Sequence, residues 1–285
     1  MRRHFFNSFF LLPLMVFVVL FFAYLLFSSF FISLRDVYFG LIEDSTFIGI
    51  GNYARLMKSR SFWDSMRFSL TFGLVTTFLE LVLGFALAYF FYSKFRGMKL
   101  LFTLLITPMF IAPSLFGLMN RILFNNFIGI IPGYMKLFFN VDIDFFSPKN
   151  VFWTLVGIDV LQWTSFVFLI IYAALLGVPV QLIEASSIDG AATFQKIWYV
   201  VLPYIKPSIM MAAFLRFLES FRVFDSVYVL TGGGPGNLTT SISIFIYRTG
   251  FTMGEHGLAS AAGMILFLSM LVPVLFVIRL ARRRW

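Results

Sequence analysis

Four ionisable residues, Arg216, Glu219, Arg222 and Asp225, recur at three-residue steps with alternating sign inside an otherwise apolar stretch. Charge in such surroundings is costly and usually faces a bundle interior, a partner or water. Glu80 and Asp159 share that situation, and Arg121 lies near the end of another apolar run. Pairing along one helical stripe is the simplest account. Most of the stripe is therefore expected to form structural ion pairs at a subunit interface, with the remainder lining a cavity. Asn120, Asp159, Gln162, Trp163, Arg222, Asp225 and Tyr228 mix flat rings with hydrogen-bond donors and acceptors, as small-molecule pockets do. For Trp163 taken singly, ordinary helix packing is the simpler expectation. Catalysis finds no support. There is no cysteine, His4 and His256 are the only histidines, and no Ser/His/Asp, metal or paired-carboxylate arrangement stands out. No catalytic residue, metal ligand or cofactor is assigned to the chain.

The elements that must hold these residues follow from composition. A chain 60% hydrophobic and 12% charged, with mean hydropathy +0.92, cannot fold around one water-soluble core. A hydrocarbon layer of about 30 Å needs about 20 apolar residues per helix. Six runs meet that need, roughly 9 to 32, 68 to 92, 100 to 124, 151 to 176, 208 to 230 and 257 to 280. The expected fold is an all-α, six-span bundle forming one transmembrane domain over residues 1–285. The first run is too long for a signal-peptide core and no A-x-A site follows, so it reads as an uncleaved anchor. Pro108 and Pro113 are expected to kink the third run.

Arg2, Arg3, Lys94, Arg96, Lys99, Lys196, Lys206, Arg279, Arg282, Arg283 and Arg284 fall on the side of the N-terminus. The opposite connections carry fewer cations, together with Asp36, Glu43, Asp44, Asp64, Asp142, Asp144 and Glu255. The positive-inside rule then places both termini in the cytoplasm. The net charge of +9 is a topology signal, and no nucleic-acid-binding motif accompanies it.

The same count places EASSIDGAATFQKIWYVVLP, residues 184–203, in the cytoplasm between the fourth and fifth spans. Pro179 suits a first helical position and Glu184 an early turn, where a carboxylate meets the helix dipole favourably. Gly190 permits a sharp bend after Asp189, and a second short helix from Phe194 to Leu202 is expected to stop at Pro203. Small residues (Ala185, Ser186, Ser187, Ala191, Ala192) leave this knob thin enough for a partner to approach closely. An interfacial loop lying on lipid headgroups fits the local pattern equally well. On composition alone, TGGGPGN at 231–237 is a flexible turn, and FIGIIPGYMKLFF at 127–139 is apolar enough to lie at the membrane interface.

E-A-S-S-x-D-G-A followed by L-P resembles the EAA motif of the membrane subunits of bacterial binding-protein-dependent ABC importers. Glu184, Ala185, Asp189, Gly190 and Ala191 match it, with Leu202 and Pro203, while Ser186 stands where alanine is usual. FIGIGNYARLMKSRSFWDSMRFSLTF (47–72), FDSVYVLTGGGPGNLTT (224–240) and IYRTGF (246–251) are similar to segments of carbohydrate-type permeases related to the maltose and glycerol-phosphate systems. Asn120 and Leu176 depart from that pattern, where Trp and Gln are common.

The resemblance implies a type I, maltose-permease-like fold in a bacterial inner membrane, with residues 177–207 as a cytoplasmic coupling loop. It implies a second homologous permease, an extracytoplasmic solute-binding protein, and two cytoplasmic ATPase subunits that bind ATP and Mg. Glu184, Ala185, Ser186, Asp189, Gly190 and Ala191 would couple the chain to those ATPases. The cargo would be a sugar or related solute. The chain has no G-x-x-x-x-G-K-[ST] of its own, since TGGGPGNLTT lacks the lysine. A secondary transporter or channel is the alternative, and it would require internal repeats or broken helices in matching halves; no convincing repeat is present.

Overall fold

The computed structural model describes residues 2–41, 45–93 and 95–282. Glu43, Asp44, Lys94, Arg283 and Arg284 lie outside them, as do the side chains of Arg2, Arg3 and Arg282. The described chain is helical apart from one two-stranded hairpin, and it divides into two compact units, residues 1–63 with 245–272 and residues 64–244 with 273–285.

In the first unit, α1 (Arg2–Ser33) runs into an antiparallel pair, β1 (Arg35–Asp36) and β2 (Thr46–Phe47), and then α2 (Gly51–Lys58). Buried Asn52 ties these pieces together by donating to the carbonyls of Ser33 (3.0 Å) and Arg35 (2.8 Å). Arg55 pairs with Glu255 at 2.9 Å and with Asp36 at 3.7 Å. Burial works against the Arg55 charge, yet its hydrogen bond to Tyr38 and the two carboxylates raise its pKa above the ordinary arginine value.

The second unit is organised around α3 (Arg60–Tyr92) and α7 (Val151–Leu176). At 33 residues α3 is about 50 Å long, so its polar N-terminal turns reach beyond a hydrocarbon layer. One apolar cluster joins Phe68 and Phe72 of α3 to Leu155 and Ile158 of α7; another joins Ala88 and Phe91 to Phe168 and Ile171. Gly84 allows close contact: a β-carbon there would stand 3.1 Å from the Phe168 nitrogen. Small residues at such crossings let backbones pack where lipid gives no hydrophobic drive. The fourth expected span, 151 to 176, is present residue for residue.

The third run is bent at its prolines, as expected, and the fifth differs from expectation. The third is α4 (Met98–Ile106), a 3₁₀ turn (Thr107–Phe110) and α5 (Pro113–Leu123), with 102° between its halves. Among the described residues five helices are long and apolar enough to cross a membrane by themselves, and six spans result when this pair counts as one. After the short α6 (Ile130–Phe139), α7 and α8 (Val180–Ile188) comes the difference. The fifth helix does not begin near 208 or end at 230. It starts as α9 (Thr193–Lys196), passes a π-helical turn (Ile197–Val201) into α10 (Leu202–Phe221), and breaks before α11 (Asp225–Thr231).

Pro203 therefore stops nothing. It falls in the first turn of α10, directly after the π turn, where a missing N–H is tolerated, and Pro207 is carried inside the helix. A final short helix, α12 (Ile242–Tyr247), leads through a second π turn (Arg248–Thr252) to α13 (His256–Arg282).

Candidate functional site

Both helix breaks lie in apolar segments, where an unsatisfied carbonyl is expensive. Side chains of other elements satisfy them. Gln162 of α7 donates to the Ile111 carbonyl at 2.9 Å, between α4 and α5, and Ser165 donates to that of Leu105. Between α10 and α11, Ser243 donates to the Arg222 carbonyl at 2.8 Å and Ser241 to the Val223 carbonyl at 2.6 Å. The breaks meet in space. Pro113, first residue of α5, lines a recess of about 250 Å³ together with Arg222–Ser226 from the other break and Asp159, Trp163, Arg216, Glu219 and Ser220.

The floor of this recess is an ion cluster. Arg216 is 2% exposed, and its guanidinium grips Glu80 of α3 with two hydrogen bonds (2.5 and 2.7 Å) while reaching Asp159 of α7 at 2.9 Å and Ser220 at 2.8 Å. Glu80 is 0% and Asp159 5% exposed. The Trp163 ring faces the Arg216 guanidinium, 4.9 Å from its carbon, a cation–π contact that helps hold the desolvated charge. Three helices are thus cross-linked through one arginine.

Pairing along the stripe holds for Glu219 and Arg222, whereas Arg216 departs from the stripe and from the expected place at a subunit interface, pairing with Glu80 and Asp159 of other helices. Residues six apart on a helix point about 120° away from each other, so the two arginines, although both border the recess, differ sharply in burial. Arg216 turns into the bundle, whereas Arg222 pairs with Glu219 at 2.5 Å on the exposed side.

Of the seven path candidates, Asp159, Trp163, Arg222 and Asp225 reach the recess. Gln162 is buried and engaged with the broken third run. Asn120 is buried and donates to the Phe116 carbonyl of its own helix at 2.8 Å. Tyr228 stacks on Phe224 at 5.1 Å and does not line the recess. Pro113, which the sequence offered as a kink or a cavity-lining residue, lines it, and Ser220 and Ser226 line it without having been anticipated. No sequence signal pointed to the two serines.

The second constellation is the hairpin α8–α9. Pro179 caps α8 and lies outside it, so Glu184 is the fifth helical residue and has left the turn where the dipole acts. Gly190 takes φ +73°, the Ala191 N–H bonds to the Ser186 carbonyl and the Gly190 N–H to that of Ser187. This is a Schellman ending, which requires a left-handed residue at the Gly190 position. Gln195 accepts from the Ala192 N–H at 2.8 Å, and Lys196 donates to Ser187 at 2.8 Å, closing the hairpin. Glu184, Ala185, Asp189 and Gly190 are exposed and Ala191 is half-buried. Ser186 instead is buried and bonds back to the Ile183 carbonyl, so it does not lie on the outer face. Ile188, 87% exposed, and the stacked pair Phe194–Trp198 leave the hairpin with an apolar surface.

TGGGPGN is not a loose turn. Thr239 donates to the Gly234 carbonyl at 2.6 Å, Thr240 to that of Gly233 at 3.1 Å, and the Thr231 and Thr239 hydroxyls meet at 2.8 Å.

A relative from Thermococcus litoralis, the trehalose/maltose transport system permease protein MalF, is 32% identical over 96% of this chain and 92% of its own length. The multiple sugar-binding transport system permease protein MsmF of Streptococcus mutans is 30% identical over 97% of this chain and 94% of that protein. Among solved structures, a bacterial ABC transporter involved in the import of the acidic polysaccharide alginate has a chain that superposes with TM-score 0.84 at 21% identity, covering 99% of this chain and 96% of that one. The model of the family described as binding-protein-dependent transport system inner membrane component matches residues 80–285, spanning the ion cluster, both helix breaks and the hairpin, and the chain belongs to that family.

Proposed function

We propose that the recess between the two broken helices is this chain's wall of a solute path, and that the solute is a sugar or related polyol. Family membership makes the chain a permease subunit of a binding-protein-dependent ABC importer, and the six-span reading fits a multi-pass membrane protein. One observation carries the reading of the site: two interrupted apolar helices converge on a polar cavity with an ion cluster beneath it. Non-helical backbone at membrane depth is tolerated where it is buried in protein or lines water, and discontinuous helices of this kind form transporter binding sites. The printed functions of relatives, trehalose/maltose and multiple-sugar transport, support the solute class.

Trp163 supplies a flat apolar face, Asp159, Asp225 and Ser226 supply acceptors, and Arg222 supplies donors, a set suited to hydroxyl-rich rings. Asp159, Glu219 and Asp225 outnumber Arg216 and Arg222 around the recess, so this wall disfavours an anion.

The chain carries no nucleotide-binding loop. In this reading two cytoplasmic ATPase subunits burn ATP with Mg, grip the α8–α9 hairpin and drive alternation of the bundle. A second permease supplies the opposite wall, and a solute-binding protein delivers cargo from the far face of a bacterial inner membrane. The hairpin and both termini then face the cytoplasm. Glu184 anchors the hairpin to a cation on the ATPase.

Uptake in cells expressing this chain with and without a second permease and an ATPase tests the scheme: accumulation by this chain alone overturns it. In the assembled transporter, Glu184→Ala is expected to preserve insertion and abolish binding-protein-stimulated ATP hydrolysis. Normal stimulation refutes the role of Glu184. Asp225→Asn combined with Trp163→Leu is expected to lower solute transport at least tenfold with assembly intact, and unchanged transport removes the recess from the path.

A further inference from the structure

Segment 127–139 has no role in the path described above, yet it is the most conspicuously apolar exposed helix of its unit. Phe127 is 96% exposed, and Ile130, Tyr134, Leu137, Phe138 and Phe139 are all exposed; Pro132 is the one buried residue of α6. The helix is firmly pinned at both ends. Asn125 accepts from the N–H groups of Phe127 (2.9 Å) and Ile128 (3.3 Å), and the Gly129 N–H reaches the Asn125 carbonyl at 2.8 Å. At the other end Asn140 adopts φ 51° and closes the last turn onto the Lys136 carbonyl.

Ten residues give about 15 Å of helix, half of what a crossing needs. Its neighbours in sequence are the end of α5 at Leu123 and the start of α7 at Val151, both boundaries of membrane-spanning runs. Six residues lie between Leu123 and Ile130 and eleven between Phe139 and Val151, so the helix is tethered near the membrane edge on the side opposite the α8–α9 hairpin, because α7 crosses between them.

We propose that α6 is a monotopic anchor lying in the lipid interface of that leaflet. Ile130, Tyr134, Leu137 and Phe138 form one exposed apolar arc of α6, while Gly133 and Lys136, its one charge, fall on the opposite side with Asn140. That pattern suits the boundary between headgroups and acyl chains, with the Tyr134 ring at the headgroup level and the Lys136 stem extended towards water. Lys136 reaches Asp142 at 3.9 Å, and both are exposed, so the charges of the segment gather at its C-terminal end. Anchored this way, α6 ties the end of α5, whose first residue Pro113 lines the recess, to the bilayer. The inference needs only that α7 spans the membrane; it does not depend on which side is cytoplasmic or on the solute.

The absence of native cysteine permits single-site spin labelling. Leu137→Cys, or Phe138→Cys if the first variant fails to insert, is labelled in the full-length chain reconstituted in vesicles of phosphatidylethanolamine and phosphatidylglycerol. The expected result is collision with oxygen exceeding collision with a water-soluble nickel chelate, with the reverse at an Asp142→Cys control. Adding a solute-binding protein leaves both values unchanged. A nickel-accessible label at 137 overturns the proposal in favour of an aqueous loop. A label shielded from both reagents, or one that changes when the binding protein is added, overturns it in favour of a protein interface.

Discussion

A guanidinium sealed in a bundle with two carboxylates is held by geometry, because each of the three ions alone would be far better off in water. Arg216 satisfies Glu80 and Asp159 together, and Trp163 and Ser220 complete its shell. Removing the centre leaves two buried carboxylates facing each other. Arg216→Met is expected to destabilise the protein by about 3–5 kcal/mol, the usual cost of breaking a buried ion pair from one side. Thermal denaturation of the purified transporter reads that loss. The triple variant Glu80→Gln, Asp159→Asn, Arg216→Met should regain most of it, and failure to recover would show that the charges themselves matter beyond mutual neutralisation. The members of this cluster were visible in the sequence as charges in apolar runs. Their pairing was not, because the three-residue neighbour Glu219 offers Arg216 a local partner that only the direction of its side chain rules out.

At the scale of elements, two helices are interrupted where their carbonyls find side-chain donors, and one is uninterrupted where prolines suggested a stop. A proline early in a helix or after a wide π turn loses a hydrogen bond that was already missing, which is why Pro203 is passed through while the Ile111 break stays open. The result is that the second arm of the hairpin is continuous with α10, the helix that carries Arg216 and ends at the recess. Under the proposed coupling, this continuity is the route by which a push on the hairpin would reach the ion cluster. The bend at Gly190 sets the angle between the two arms. Gly190→Val places a β-branched residue at φ +73°, at a cost of about 1–2 kcal/mol. Lowered solute-stimulated ATP hydrolysis with normal membrane insertion is the expected outcome, measured in proteoliposomes.

At the scale of the whole molecule, the number of crossings decides which face carries what. With the pair α4–α5 counted as one broken span there are six; with the pair folded back on itself there are five, and the termini part company. The six-span form is expected. Single cysteines at Arg96 and Asn126, the two ends of the pair, should react with a membrane-impermeant maleimide from opposite sides of the membrane. Reaction from the same side would mean a re-entrant segment and would overturn the cytoplasmic placement of the hairpin.

What the sequence determined alone was the solvent and the inventory. Hydropathy and length located the runs, and the uninterrupted 151–176 span emerged residue for residue because nothing within it competes with the helical hydrogen-bond ladder. The hairpin motif was equally legible, since a glycine in the left-handed region is a local requirement that local sequence reveals. The tertiary structure decided which charges meet, which carbonyls at the breaks are satisfied, and that Pro113, Trp163 and Asp225 border one cavity. Those outcomes depend on side chains distant in sequence. An unpaired polar group in hydrocarbon is satisfied by whatever donor the packing of helices brings to it, and no local pattern records that donor.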